Sequence, residues 1–293
     1  MSPKDVRRSD RKDKKDKKDK KASRSPAAVA DGQGIARTPR ICFERIVPDD
    51  LDAERMVRRA LRQQMVEAAG GEKELKAEGV ALVARMALVK SKQWPAGSVV
   101  RCRFLDGSAK MRKKVRTYAV EWEKSANIRL KFVGNGPAEI RVSFFADAGS
   151  WSAVGRDALN SAYFPLHQPT MNFGWVRDNS DAAEDRAVIL HEFGHALGCV
   201  HEHQSPTFSR VWNEAEVMKY FQGPPNYWNA EEIRGNVLKK YSPNGIAATK
   251  FDPKSIMLYA FDADLFADGL GSTNENTVLS ATDKAMIRKM YPA

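Results

Sequence analysis

The chain has 293 residues, of which 42% are hydrophobic and 29% are charged, which are proportions typical of a globular protein. This composition excludes a chain that is disordered throughout, and no apolar run approaches the roughly 18 residues of a membrane-spanning helix, so no membrane span is expected. The net charge of +11 is concentrated in residues 1–25, where twelve Lys or Arg face five Asp, so the charge says little about what the rest of the chain binds.

Residues 1–39 are predicted to be a disordered basic tail, because they combine a Lys/Asp repeat with many small residues. The favoured interpretation is a solvated arm. The alternative is binding of nucleic acid or an anionic surface through residues 4–24. No apolar signal-peptide core is visible, so a cytoplasmic location or non-classical export is expected.

Residues 40–94 are predicted to form an N-terminal helical segment, because Val57, Leu61 and Met65 recur at helical spacing. The following domain, residues 95–293, has the element order β-α-β-β-β-α, which indicates a mixed sheet backed by helices. Its first elements are predicted as strands over residues 99–105, 128–133, 140–145 and near 170–175, and as a helix with an apolar stripe of Met111, Val115, Tyr118 and Trp122. Cys102 alternates with charged residues in the first strand and is expected to be a core residue.

The most informative segment is residues 191–201, which read H-E-x-x-H-x-x-G-x-x-H. The chance occurrence of this pattern in a chain of this length is on the order of 10⁻⁵ at ordinary residue frequencies. Asp181 and Glu184 have the spacing of a capping box, which predicts a helix from Ala182 to about Leu197.

Two histidines of this helix, His191 and His195, are one turn apart, about 40° around the axis and about 6 Å along it. At that spacing both imidazoles can hold the same metal ion. Glu192 flanks the pair, where it is poorly placed to bind the metal but well placed to take a proton from a water bound there.

The third histidine, His201, requires the helix to end before it, since a continuing helix would carry it about 9 Å beyond His195. Gly198 lies where the chain must turn, because glycine adopts positive φ without strain. Three neutral imidazoles and a water complete a tetrahedral zinc site with one position open to substrate. Two alternatives are weaker: incidental histidines leave Gly198 and His201 unexplained, and a structural zinc site has no need of Glu192.

The zinc motif resembles that of the metzincin metalloproteases. The segment from Asp252 to Tyr259, DPKSIMLY, resembles their Met-turn, in which a methionine, here Met257, packs beneath the metal. The resemblance covers residues 95–293 and implies an α+β, metzincin-like zincin fold. Such a fold has a twisted mixed β-sheet with an active-site helix and a C-terminal lobe containing the Met-turn. The resemblance also implies that Tyr259 is an extra metal ligand or a hydrogen-bond donor to the tetrahedral intermediate.

Glu202, directly after the third histidine, is similar to a residue of the astacin branch that contacts the trimmed N-terminus of the mature enzyme. The chain departs from that branch at Cys199, where astacins usually have Phe, and in its missing paired cysteines and secretion signal. Cys42 could cap the zinc as a latency thiolate, but a buried or idle cysteine is the favoured interpretation.

These features together predict a zinc-dependent metalloendopeptidase with one catalytic Zn²⁺. The alternative is a catalytically silent zinc-binding module that recognises proteins on the same scaffold. The expected partner is a peptide or protein substrate in extended form. It would pair with an edge strand, which the resemblance places at residues 138–145 followed by Trp151 and Ser152. A monomer is expected.

Overall fold

The structure is a computed structural model of the chain, and it describes residues 42–45, 92–223, 227–241 and 249–293. All of these belong to the same unit, Pro39–Ala293. The predicted tail and most of the predicted N-terminal helical segment lie outside the described residues. Among the described helices, none has the length and apolar character needed to cross a membrane.

The regular elements of the described residues are short strands and α-helices, with one α-helix among the strands and the other α-helices after them. The strands are β1 (Phe43–Arg45), β2 (Val99–Phe104), β3 (Arg129–Val133), β4 (Ile140–Ser143), β5 (Ser150–Ala153) and β6 (Met171–Phe173). The helices are α1 (Ala109–Ala119), α2 (Ala182–Ala196), α3 (Glu214–Gln222), α4 (Ala230–Ile233), which continues into a π-helical turn (Arg234–Leu238), and α5 (Ala281–Met290).

The strands form a mixed sheet with the order β1-β5-β6-β4-β2-β3. Strands β5 and β6 are antiparallel, and the other neighbouring pairs are parallel. In the pairing of β1 with β5, Phe43 lies opposite Trp151 and Arg45 lies opposite Ala153. Strand β1 therefore covers the edge of the sheet that β5 would otherwise present.

Most of the sheet agrees with the sequence prediction, and four differences concern its edge and the first helix. Strand β5 was not among the predicted strands, and β1 replaces the start of the predicted helical segment. The predicted edge strand over residues 138–145 is an inner strand, β4, between β6 and β2, and β5 takes the place beside β1. The predicted stripe of α1 is interrupted, because the helix ends before Trp122, which lies in a separate 3₁₀ turn.

The main core lies between the sheet and helices α1 and α2. Strand β2 shows how it forms, because Val100, Cys102 and Phe104 face the core while Arg101 is exposed. Cys102 is fully buried, as predicted. From α2, Phe193 packs against Phe173 of β6 with ring centroids 6.3 Å apart. These contacts fix the face of α2 that lies on the sheet.

A second core fills the C-terminal part of the chain and includes Phe221 of α3 and Phe261. Its edge is held by Arg210, which forms a salt bridge with Asp268 and lies over the ring of Phe266 at 3.8 Å. Residues of the candidate site, including Tyr259, also belong to this core. The candidate site is therefore packed against both the main core and the second core.

Candidate active site

Helix α2 begins and ends as its sequence predicts. The side chain of Asp181 accepts hydrogen bonds from the backbone N–H groups of Ala183 and Glu184, which caps the first turn. At the other end, Gly198 has φ +92°, and its N–H donates to the carbonyl of His195. The N–H of Cys199 donates to the carbonyl of Gly194. These two bonds form a Schellman motif, which turns the chain out of the helix.

Two aromatic residues hold the last carbonyls of α2. The indole N–H of Trp94 donates to the carbonyl of Ala196 at 2.8 Å, and the hydroxyl of Tyr291 donates to that of Leu197 at 2.7 Å. Both aromatic side chains are buried. Because the helix end is held on both sides, the direction in which the chain leaves it is fixed.

Replacing Gly198 by alanine is expected to lower the free energy of unfolding by about 1–2 kcal/mol, because a Cβ is disfavoured at positive φ. Urea unfolding of the two proteins measures this difference. Gly235→Ala is the matched control, since its Cβ would meet open space and its φ is not positive. An equal loss in both variants would contradict the special role of the turn.

The turn brings the three predicted histidines together. The Nε2 atom of His195 lies 3.1 Å from Nε2 of His191 and 3.1 Å from Nε2 of His201. All three side chains are buried. Burial holds the pKa of His201 well below its usual 6.5, and the nearby His191 lowers it further, so this imidazole is neutral at pH 7. Neutral imidazoles are the form that binds a metal.

The opposite ring nitrogens of two of these histidines are held by backbone carbonyls. His191 Nδ1 lies 2.7 Å from the carbonyl oxygen of Ile256, and His195 Nδ1 lies 2.9 Å from that of Cys199. A carbonyl can only accept, so each Nδ1 carries the proton and each Nε2 presents its lone pair to the shared centre. Ile256 is itself fixed, because its N–H donates to the carboxylate of Asp283 in α5.

The predicted Met-turn lies directly against α2. Met257 is buried, and its Sδ would lie 2.4 Å from a Cβ placed on Gly194. Only a glycine at this position lets the sulfur approach so closely. The carbonyl of Met257 accepts a hydrogen bond from the N–H of Glu202. Met257 thus packs against α2 and is joined by a hydrogen bond to the residue after His201.

Three further predicted residues lie around the histidines. The hydroxyl of Tyr259 is in hydrogen-bond contact with Nε2 of His201. Glu192 is fully buried on α2 beside His191. Glu202 accepts a hydrogen bond from the N–H of Asp252, and burial raises its pKa to about 7. The remaining prediction for Glu202, contact with a trimmed N-terminus, stays a prediction.

Cys42 is part of the site, which corrects the expectation of an idle cysteine. Its Sγ lies 3.6 Å from Nε2 of His195 and 3.6 Å from Nε2 of His201. It also lies 2.9 Å from the hydroxyl of Tyr259, and that hydroxyl donates to the carbonyl of Cys42. Cys42 is buried, which agrees with part of the favoured interpretation. Because β1 pairs with β5, however, its thiol lies among the histidines. The contact spans more than 150 residues, so no local sequence pattern could reveal it.

The two histidines outside the motif have different surroundings. His203 is buried, stacks on His201 with ring centroids 5.1 Å apart, and lies 3.0 Å from the carbonyl of Asn236 through Nε2. His167 is exposed.

The donor atoms fit a zinc ion. One ligand atom from each of Cys42, His191, His195 and His201 lies within 4.8 Å of the others. Imidazole nitrogens and a thiol sulfur are donors that zinc prefers, and four of them match its tetrahedral coordination. With an ion held there, the thiol would take the position that a catalytic zinc site keeps for water.

Comparison with known proteins agrees with this geometry. The profile of the Astacin family of peptidases matches residues 87–291. Two structures of myroilysin are similar: one is 41% identical with a TM-score of 0.67, over 70% of this chain and 98% of that chain. The other is 40% identical with a TM-score of 0.54, over 69% and 87%.

A third relative is zinc metalloproteinase nas-30 of Caenorhabditis elegans, which is 33% identical over 109 residues. The match spans 37% of this chain but only 13% of that protein. The fold prediction, an α+β zincin with a mixed sheet, is confirmed by the similar structures. With the family profile covering most of its length, the chain belongs to the Astacin family of zinc-dependent metallopeptidases.

Proposed function

We propose that this chain is an endopeptidase that hydrolyses peptide bonds with one Zn²⁺ held by His191, His195 and His201. The observation that carries the proposal is the convergence of the three Nε2 atoms, with the opposite nitrogens of His191 and His195 held by backbone carbonyls. Zinc bound there would polarise the scissile carbonyl and acidify the attacking water.

The side chains around the histidines have complementary roles in this proposal. Glu192 takes the proton of the attacking water on its carboxylate and passes it to the leaving amine. The Tyr259 hydroxyl donates a hydrogen bond to the oxyanion of the tetrahedral intermediate. Strand β5 pairs with the extended substrate through its main chain, at the edge that β1 now covers.

The position of Cys42 supports a latent form of the enzyme in this structure. Its thiol would take the place of the attacking water. Its backbone carbonyl accepts a hydrogen bond from the hydroxyl of Tyr259, so this hydroxyl is already engaged. Strand β1 takes the place of the substrate on β5. Residues 42–45 therefore obstruct the position of the attacking water, the hydroxyl of Tyr259 and the place where the substrate would pair with β5.

The test is a casein assay on the Cys42→Ala chain loaded with zinc, with and without a chelator. Activity that is lost on chelation and restored by adding zinc is expected, together with about one zinc per chain before chelation. The assay is repeated after limited trypsin digestion, which removes any remaining obstruction by β1. A zinc-loaded chain that is inactive in both forms would overturn the proposal and favour the silent recognition module.

A further inference from the structure

The indole ring of Trp151 lies on β5, next to the edge strand β1, and the guanidinium of Arg45 packs against its face. The guanidinium carbon of Arg45 lies 3.7 Å from the ring centroid of Trp151, which is cation–π geometry. Across β1 and β5, Phe43 pairs with Trp151 and Arg45 with Ala153. Residues that pair in this way, and those two apart on one strand, lie on the same face, so Arg45 reaches back over Trp151.

The ring is held rigidly from its other side. Trp151 packs in a small cluster with Ala153, Ala158 and Phe164, and it is only 4% exposed with Arg45 in place. A ring fixed by such packing keeps its orientation when the Arg45 side chain moves away. Trp151 is therefore a preformed platform at the edge of the sheet.

Among the side chains that the structure describes, the guanidinium of Arg45 contacts the ring of Trp151 and no carboxylate. The carboxylate of Asp157, in the turn that packs against β5, is paired with Lys92 at 2.5 Å. Loss of hydration lowers the pKa of Arg45, and no described carboxylate opposes this shift. A planar guanidinium tolerates this position because it is weakly hydrated and stacks well on aromatic rings.

An extended peptide that replaces β1 meets the same ring. Strand β5 is bonded to β6 on its other side, so the side of β1 is where a substrate strand can add. Alternate side chains of any strand there point to the face that carries Trp151, whichever direction the peptide runs. One substrate side chain thus comes to lie where Arg45 lies now.

We propose that Trp151 is a specificity-determining residue, which selects substrates carrying an arginine, and less strongly a lysine, at the subsite that Arg45 occupies. This inference rests on the proposed function, because it concerns the substrate of the same cleft. It names the substrate class as peptides with a cationic side chain near the scissile bond. Leucine lacks the charge at this subsite, and glutamate is repelled by the negative face of the ring.

The first test uses the zinc-loaded Cys42→Ala chain and a peptide library in which each position near the scissile bond is Arg, Lys, Leu or Glu. At one position we expect kcat/KM for Arg to exceed that for Leu by about three- to tenfold, with Lys between them. Trp151→Leu should reduce this ratio below about twofold while cleavage of the Leu peptide persists. Trp151→Phe, which keeps an aromatic ring in the packed cluster, should leave an intermediate ratio.

The outcomes separate the two proposals. No cleavage of any peptide would contradict the proposed function. Cleavage without a cationic preference, or with a preference that survives in Trp151→Leu, would overturn the role of Trp151 and leave the proposed function standing.

A second test needs no catalytic activity. In the full-length chain bearing Cys199→Ala, the rate at which a thiol reagent labels Cys42 reports the release of β1, because Cys102 is fully buried. Arg45→Leu and Trp151→Leu should each raise this rate about three- to tenfold, and Arg45→Lys less. Unchanged rates in both leucine variants would show that the ring does not hold the cation and would overturn the inference.

Discussion

Replacing Glu192 by glutamine in the Cys42→Ala chain should lower kcat by about 10²- to 10⁴-fold, which is the range that a positioned general base contributes. Glutamine has nearly the same size and remains buried, but its amide cannot take up the proton of the attacking water. The zinc content should stay near one per chain, because the three imidazoles that hold the metal are unchanged. Peptide cleavage and metal analysis of the same preparation measure both quantities.

Glu184→Gln is the matched control for this change, because Glu184 lies in the first turn of the same helix, away from the histidines. It should leave kcat within about twofold of the parent chain. A fully active, zinc-loaded Glu192→Gln chain would rule out the carboxylate as the base. Loss of zinc together with activity would instead indicate that Glu192 supports the metal site.

Replacing Cys42 by alanine in the otherwise intact chain should raise peptidase activity at least about tenfold. The thiol is tethered beside the histidines and competes with water at an effective concentration on the order of millimolar. Alanine cannot bind the metal, so the water position becomes available even while β1 is present. The rate of peptide cleavage by the two full-length proteins measures the difference.

A spectroscopic measurement checks the same contact without activity. With Co²⁺ in place of zinc, the parent chain should show a thiolate-to-metal charge-transfer band that the Cys42→Ala chain lacks. Cys199→Ala serves as the control, since it removes another thiol of the chain and should keep the band. A band that persists in Cys42→Ala, or equal activity of both proteins, would show that the thiol does not block the site.

The metal motif could be predicted because its geometry is local. One helical turn separates His191 from His195, and a glycine was needed before His201, so the spacing alone required the turn observed at Gly198. The cap at Asp181 was likewise a local signal, and it is present. Each of these signals depends on residues that are only a few positions apart in the chain.

The latent arrangement could not be predicted in the same way. Strand β1 has three residues, and its pairing with β5 joins segments about 100 residues apart, so neither strand shows a periodicity of its own. No histidine or further cysteine lies beside Cys42 in residues 43–45. Its surroundings come from α2 and the Met-turn, which only the folded chain brings together. The sequence therefore offered a zinc-capping thiolate only as the less favoured interpretation of Cys42, because a single cysteine does not reveal its partners in the fold.

The connection between β1 and the rest of the chain determines how permanent any activation is. Residues 46–91 join the two in one covalent chain, so a displaced strand stays nearby and rebinds as an intramolecular competitor. A substrate can then gain access only for a time. A cut anywhere in that connection turns rebinding into a bimolecular event, and dilution then makes the release effectively irreversible. Many different cleavage sites would therefore serve the same purpose.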